Sequence, residues 1–372
     1  MTTILHVVDR SCGPSTLQAL NLLRSRLATA TPSAVATIDP ASRRTAEIFV
    51  SGGIVPAPRL LPTRFVNFAS GLAKFAKSCR AEVIHAWGIE AAAVCMTTLP
   101  NRPLLITLIE PESAEDAAKW IRSFPIGAGV VADSEFIQSR LVTSGLDMGQ
   151  VIVIRGAVDL GAINKARRDD VRRRIVGDSG PVILIPGPPE RGAGQEAAIW
   201  AAGIIQFLHR NLRVLMPYAS TEADRLIRWV RTMGLGHMLI VPDARLTWHE
   251  LVTCADVFLQ PAEREVCTPP IAAAMAAGLP IVATAIRSIA EMIADRHNGL
   301  LVRKAEPKAV AARLLAAIED QPLVRQITDV ARSQAFEIFS PRASADNYRR
   351  VYENLAAGRP IGEGINDTAR VA

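Results

Sequence analysis

Apolar runs of four to six residues recur along the chain of 372 residues, separated by stretches in which apolar positions return every three or four residues. In the first half the runs are Ile4–Val8, Ala34–Ile38, Val83–Trp87, Leu104–Ile109, Gly129–Asp133 and Val151–Ile154. In the second they are Val182–Gly187, Leu212–Met216, His237–Pro242, Val257–Gln260, Pro280–Thr284 and Gly299–Val302. Runs that stay apolar at consecutive positions predict strands buried on both faces, and helical spacing between them predicts parallel sheets flanked by helices. Leu17–Leu27 and Glu222–Met233 carry the helical period. A polar, arginine-rich stretch ending in Gly177, Asp178, Ser179 and Gly180 breaks the alternation near its middle. The pattern predicts an α/β protein of two Rossmann-like domains facing a cleft, over residues 1–165 and 178–336, with a closing helix over 337–358.

The segment from Ala255 to Val302 is the most informative. Between the strands Val257–Gln260 and Pro280–Thr284, Pro269 and Pro270 open a helix and Gly278 closes it. Glu265 stands in the loop just before that helix. A loop at the carboxyl end of a parallel strand, beside a helix N-terminus, is where α/β sheets bind anionic ligands, here a nucleotide. The uncharged run Val266–Ile286 is long enough to span a bilayer, but Pro269, Pro270, Gly278 and Pro280 cut it into helix and strand, so it reads as buried core.

Bulk properties narrow the class. The length suits two domains of roughly 150–200 residues. With 49% apolar and 21% charged residues the chain can bury sizeable cores. Five scattered cysteines (Cys12, Cys79, Cys95, Cys254 and Cys267) form no Cys-x-x-Cys pair, which argues for reduced thiols and against structural zinc. The amino-terminal apolar run meets Asp9 and Arg10 too soon for a signal peptide, so the expected location is cytoplasmic. The net charge of +6 is modest, and its densest patch is Arg167, Arg168, Arg172, Arg173 and Arg174. A solvated helix is the simpler account of that patch, and a weak peripheral contact at the inner membrane face is the other. No aromatics interleave it, so no nucleic-acid partner is expected. The histidines show no metal spacing, and Walker lysine, Gly-x-Ser-x-Gly and Gly-x-Gly-x-x-Gly signatures are missing.

The segment around Glu265 resembles the carboxyl-terminal domain of GT-B glycosyltransferases of the group 1 kind, marked by two acidic residues eight apart and Ala-Met-Ala-x-Gly-x-Pro. Glu265 holds the first acidic position, while Ala274, Met275, Ala276, Gly278 and Pro280 fit the rest. Ala273 occupies the second acidic position. The resemblance runs from about Ala81 to Leu355 and includes Phe339–Leu355, where Pro341 opens a helix with Tyr348, Val351, Tyr352 and Leu355 on one apolar face. It implies that this last helix returns to the first domain, although an ordinary terminal helix would look the same in sequence.

The resemblance also implies site residues. Gly187 and Gly192 match the phosphate loop, Arg191 stands for its lysine, and Pro188 replaces its arginine. Thr268 either offers its hydroxyl in place of the amide that Pro269 lacks, or simply caps the helix. Glu291 either points to the cleft from a helix start or favours the helix dipole. Gly13 matches the glycine-rich approach to the donor phosphates, and Gly156, Val158 and Asp159 match the turn after the last strand of the first domain. The catalytic candidates are Glu265 and His85; the latter, in Val-Ile-His-Ala-Trp-Gly, could equally be a satisfied strand-end histidine. Ile109 stands where the resemblance places a second histidine. The expected function is retaining, metal-independent transfer of a sugar from a nucleotide-diphosphate donor to a hydroxyl acceptor, glycan or lipid-linked, with no cofactor beyond the donor as co-substrate. The alternative is a GT-B relative that has lost turnover and serves as a binding or scaffold subunit.

Overall fold

The computed structural model describes residues 3–8, 33–37, 65–111, 114–123, 128–167, 169–177, 180–186, 191–216, 221–242 and 246–365. The helix expected over Leu17–Leu27 lies outside these residues. The chain divides into two compact units: Met1–Ala157 with Phe339–Arg370, and Val158–Ile338 with Val371–Ala372.

The first unit carries strands β1 (Ile4–Val8), β2 (Ser33–Thr37), β3 (Val83–Trp87), β4 (Leu104–Leu108), β5 (Ala128–Ala132) and β6 (Val151–Val153). They form one parallel sheet in the order β2-β1-β3-β4-β5-β6. Its helices are α1 (Phe65–Ser78), α2 (Ile89–Thr98), α3 (Ala114–Arg122) and α4 (Glu135–Thr143). The period of two sorts each strand between two buried faces. Leu5, Val7, Ile84, Ala86, Leu104 and Ile106 pack with Ala91, Ala117 and Leu141 of these helices. Ile4, Val8, Val83, Trp87 and Leu105 form the other face.

The second unit carries α5 (Leu160–Ala166), α6 (Asp169–Val176), β7 (Val182–Leu184), α7 (Gln195–Ile205), β8 (Arg213–Leu215), α8 (Thr221–Thr232), β9 (Leu239–Ile240) and α9 (Trp248–Thr253). There follow β10 (Val257–Gln260), α10 (Pro269–Ala277), β11 (Ile281–Thr284), α11 (Arg287–Ala290), β12 (Leu300–Val302), α12 (Pro307–Glu319) and α13 (Gln321–Ile338). Its strands are all parallel, in the order β12-β11-β10-β7-β8-β9. Gly278 ends α10 at φ 74°, the left-handed stop a glycine provides. Both sheets and the doubly wound class match the expectation from sequence.

The last helix, α14 (Pro341–Ala356), belongs to the first unit, as the resemblance implies. Ser340 caps it, its Oγ accepting the amide of Ala343. Ala345, Tyr348, Val351 and Tyr352 cover the β1–β3–β4 face, with Ile361 beyond them. Burial of each such large side chain stabilises by roughly 1.5–3 kcal/mol before entropy.

The arginine patch is partly internal. Arg167 Nη2 donates to the carbonyl of Ala277 (2.8 Å), satisfying the end of α10. Arg172 grips the Asp256 carboxylate at 3.1 and 2.7 Å and the Cys254 carbonyl at 2.7 Å. Asp256 in turn accepts the amide of Val182, which ties α6 to the start of β7. Among the described residues no helix is long and apolar enough to cross a membrane.

Candidate functional site

The strand order of the second unit reverses between β7 and β10, since successive strands run outward from β7 on one side and from β10 on the other. Doubly wound sheets bind ligands at the carboxyl ends of the strands that flank such a reversal. Two loops meet there. The loop after β7 ends in Arg191, Gly192, Ala193 and Gly194 before α7, and the loop after β10 runs from Pro261 to Thr268 before α10. The amide of Glu263 donates to the carbonyl of Gly192 at 2.8 Å. Gly194 sits at φ 94°, and a Cβ there would lie 2.3 Å from the carbonyl oxygen of Pro261. Only glycine lets the two backbones approach this closely.

Arg191 and Gly192 line an open hollow of about 570 Å³ at this junction, with Gln195 and Glu196 of α7 and with Glu263. Arg191 is exposed. Glu265, Thr268 and Glu291 are not among its walls. The link between the two groups is Arg264, whose side-chain stem packs against Gly192.

Glu265 has a geometry that sequence did not disclose. Its Oε1 accepts the amide of Arg287 at 3.1 Å and its Oε2 the amide of Ser288 at 2.8 Å. Both belong to the first turn of α11, so the carboxylate caps that turn and complements its free amides. Ser288 is fully buried and answers from the other side, its Oγ accepting the amide of Val266 at 3.5 Å. The β10 and β11 loops are thereby cross-braced.

Thr268 precedes α10 with φ −85° and ψ −24°, and its side chain makes no capping hydrogen bond. The hydroxyl-cap expectation is corrected: a helical backbone at the cap position turns the side chain away from the free amides, and Pro269 occupies the first turn instead. Glu291 is corrected as well. It follows the last residue of α11 rather than starting a helix, where a carboxylate opposes the helix dipole. Gly13 and Gly187 lie outside the described residues.

In the first unit His85 is fully buried in the middle of β3. Its Nδ1 lies 2.7 Å from the Tyr352 hydroxyl and its Nε2 2.8 Å from the Thr107 hydroxyl. Thr107 also meets the Tyr348 hydroxyl at 3.0 Å. Both ring nitrogens are therefore engaged, the neutral ring donating once and accepting once. Beside it Trp87 Nε1 donates to His6 Nδ1 at 3.1 Å, which puts the proton of neutral His6 on Nε2. Burial lowers the His6 pKa to about 3. Burial, and then the neighbouring His6, hold His85 well below its usual value. The geometry makes His85 a fastener of α14. Ile109, at the end of β4, is fully buried and brings no polar atom.

The Glu265 and Gly194 roles were missed from sequence. The paired glycines of Gly-Ala-Gly before α7 were a usable signal for the second; nothing local marks the first.

Residues 167–334 match the family model described as glycosyl transferases group 1. The D-inositol 3-phosphate glycosyltransferase of Corynebacterium diphtheriae is 26% identical over 337 residues, 80% of this chain and 76% of that protein. Among solved structures, Anabaena HepE in complex with UDP-glucose superposes with a TM-score of 0.77 at 16% identity, covering 96% of this chain and 100% of that one. Sucrose-phosphate synthase from Thermosynechococcus elongatus gives 0.75 at 17% identity, with 96% and 100% covered. The chain has the GT-B fold, and over residues 167–334 it is similar to the group 1 glycosyl transferases.

Proposed function

We propose that the chain binds a nucleotide-diphosphate sugar at the carboxyl ends of β7 and β10 and transfers the sugar to a hydroxyl acceptor. The observation that carries this reading is the junction of the two glycine-tight loops at the strand reversal, with exposed Arg191 over it and the amino end of α7 beneath. Peptide amides and a guanidinium together suit a diphosphate. The solved complexes of HepE with UDP-glucose and with UDP support the same ligand class. Retention and independence from metal follow from the group 1 resemblance, and a glycan or lipid-linked acceptor fits it. In this reading Arg191 holds phosphate, while Glu265 keeps the β10 and β11 loops in register beside the donor.

A second reading has a specific observation behind it. Ala273 offers a methyl group where the family expects a ribose-binding acid, and Ile109 is buried hydrocarbon where it expects a histidine. Neither can accept a hydroxyl or polarise a leaving group. A GT-B relative that has lost turnover and serves as a binding or scaffold subunit would look like this.

Thermal unfolding with UDP, GDP and their sugar derivatives separates the cases. A diphosphate at 100 times its Kd should stabilise by about 2.7 kcal/mol, and Arg191→Ala should remove most of the shift. Binding without sugar release or transfer across an acceptor panel would select the scaffold reading. No shift with any diphosphate at millimolar concentration would end the donor-binding reading and favour the scaffold one.

A further inference from the structure

Helix α7 is apolar on two sides. Ala198, Ile199, Ala201, Ala202 and Ile205 are buried against the sheet and α12. The outward side carries Trp200 (40% exposed) and Ile204 (41%), and the turn after the helix carries Phe207 (88%) and Leu208 (68%). The spacing of 200, 204 and 207–208 makes one continuous stripe. A surface helix normally turns polar residues outward, so the stripe marks a surface meant to be covered.

Helix α8 lies alongside. Arg225 pairs with Glu196 at 2.9 Å, Trp229 meets Trp200 edge to face at 5.7 Å, and Leu235 packs on Gly203. Further along, Gln206 bonds His237. On the side of α8 turned away from its buried Leu226 and Val230, Arg228 and Arg231 are exposed, and Arg210 follows the turn, also exposed. None of these three makes an ion pair among the described residues. The nearby acids Glu196 and Glu319 are matched by Arg225 and His209, which leaves Asp224 as the other acid on this helix pair whose side chain is described.

We propose that the outer face of α7 and its following turn, flanked by Arg210, Arg228 and Arg231, docks reversibly on an anionic lipid bilayer. Phe207 and Leu208 are the most exposed of these side chains and stand in a turn rather than on a helix face, which suits insertion among acyl chains. Tryptophan at the shoulder and arginine around it suit the headgroup layer, where an amphipathic ring and a basic rim are each favoured. A second copy of the chain is the poorer occupant. A two-fold dimer through this face would set the same three arginines against themselves. This surface is distinct from the Arg167–Arg174 patch; Trp200 at its shoulder also lines the hollow beside Arg191, but the inference does not depend on what that hollow binds.

Co-sedimentation with vesicles tests it, using phosphatidylcholine alone and phosphatidylcholine mixed with phosphatidylglycerol. The protein should bind the mixed vesicles, and Phe207→Ser with Leu208→Ser should lower the partition coefficient about tenfold or more. Arg210→Glu with Arg228→Glu and Arg231→Glu should lose the preference for the anionic vesicles. All five positions are exposed, and unchanged melting temperatures would show that the variants fold. In brominated lipid, tryptophan emission should be quenched, and Trp200→Phe should reduce the quenching. Absence of vesicle binding, equal binding by the serine double variant, or a dimer in solution that this variant dissociates would each overturn the proposal.

Discussion

Glu265 holds two backbone amides in the first turn of α11, a structural role that needs no ligand. Glu265→Ala leaves both amides seeking water. Unfolding in urea should show a loss of about 1–3 kcal/mol, and Glu265→Gln, which keeps one acceptor oxygen, should recover part of it. An unchanged midpoint in the alanine variant would mean the clamp is idle. Gly194 is the stricter position. At φ 94° with the Pro261 carbonyl in the way of any Cβ, Gly194→Ala should cost about 1–3 kcal/mol from backbone strain alone, more if the loops part. Donor binding should weaken with it, read by titration calorimetry. Neither position could be weighed properly from sequence, because the partners Arg287, Ser288 and Pro261 are near only once the sheet has formed.

Elements were easier to read than sites. Strands β3 and β10 have the bounds their apolar runs suggest, since a strand covered on both faces is apolar at nearly every position. The edge strand β9 shrinks to Leu239–Ile240 because Gly236–Met238 winds into a tight turn first. Helix α14 shows what the pattern could not say. Its apolar face predicted packing, whereas the polar tips of Tyr348 and Tyr352 choose the place by meeting Thr107 and His85. That anchoring carries a pH dependence. His6 and His85 are neutral when folded, with pKa values below the 6.5 of an exposed histidine. Above pH 6.5 both states are neutral and this stability is complete. As pH falls below 6.5 the unfolded chain takes up protons that the native core refuses. Each histidine then removes about 1.4 kcal/mol per pH unit, continuing for His6 towards pH 3. Urea midpoints at pH 7.5 and pH 5 should differ accordingly, and His6→Gln should flatten the slope. Equal slopes in the two proteins would show that the cluster does not couple to unfolding.

At the scale of the molecule, the first unit is assembled from both ends of the described chain, while the second is continuous from Val158 to Ile338. Truncation after Ile338 strips the cover from Ile4, Val8, Val83, Trp87 and Leu105. Hydrogen exchange should then become fast in β1, β3 and β4 and stay slow in β7 and β10; retained protection in β1 would show that α14 is dispensable. The arrangement also bears on how the protein is made. A ribosome releases the chain in order, so the middle portion is complete while the early strands still wait for a helix that has not been synthesised. Such a protein matures from its second unit outward, and until α14 has emerged the strands of the first unit present an unprotected greasy surface, the natural point for a chaperone to hold.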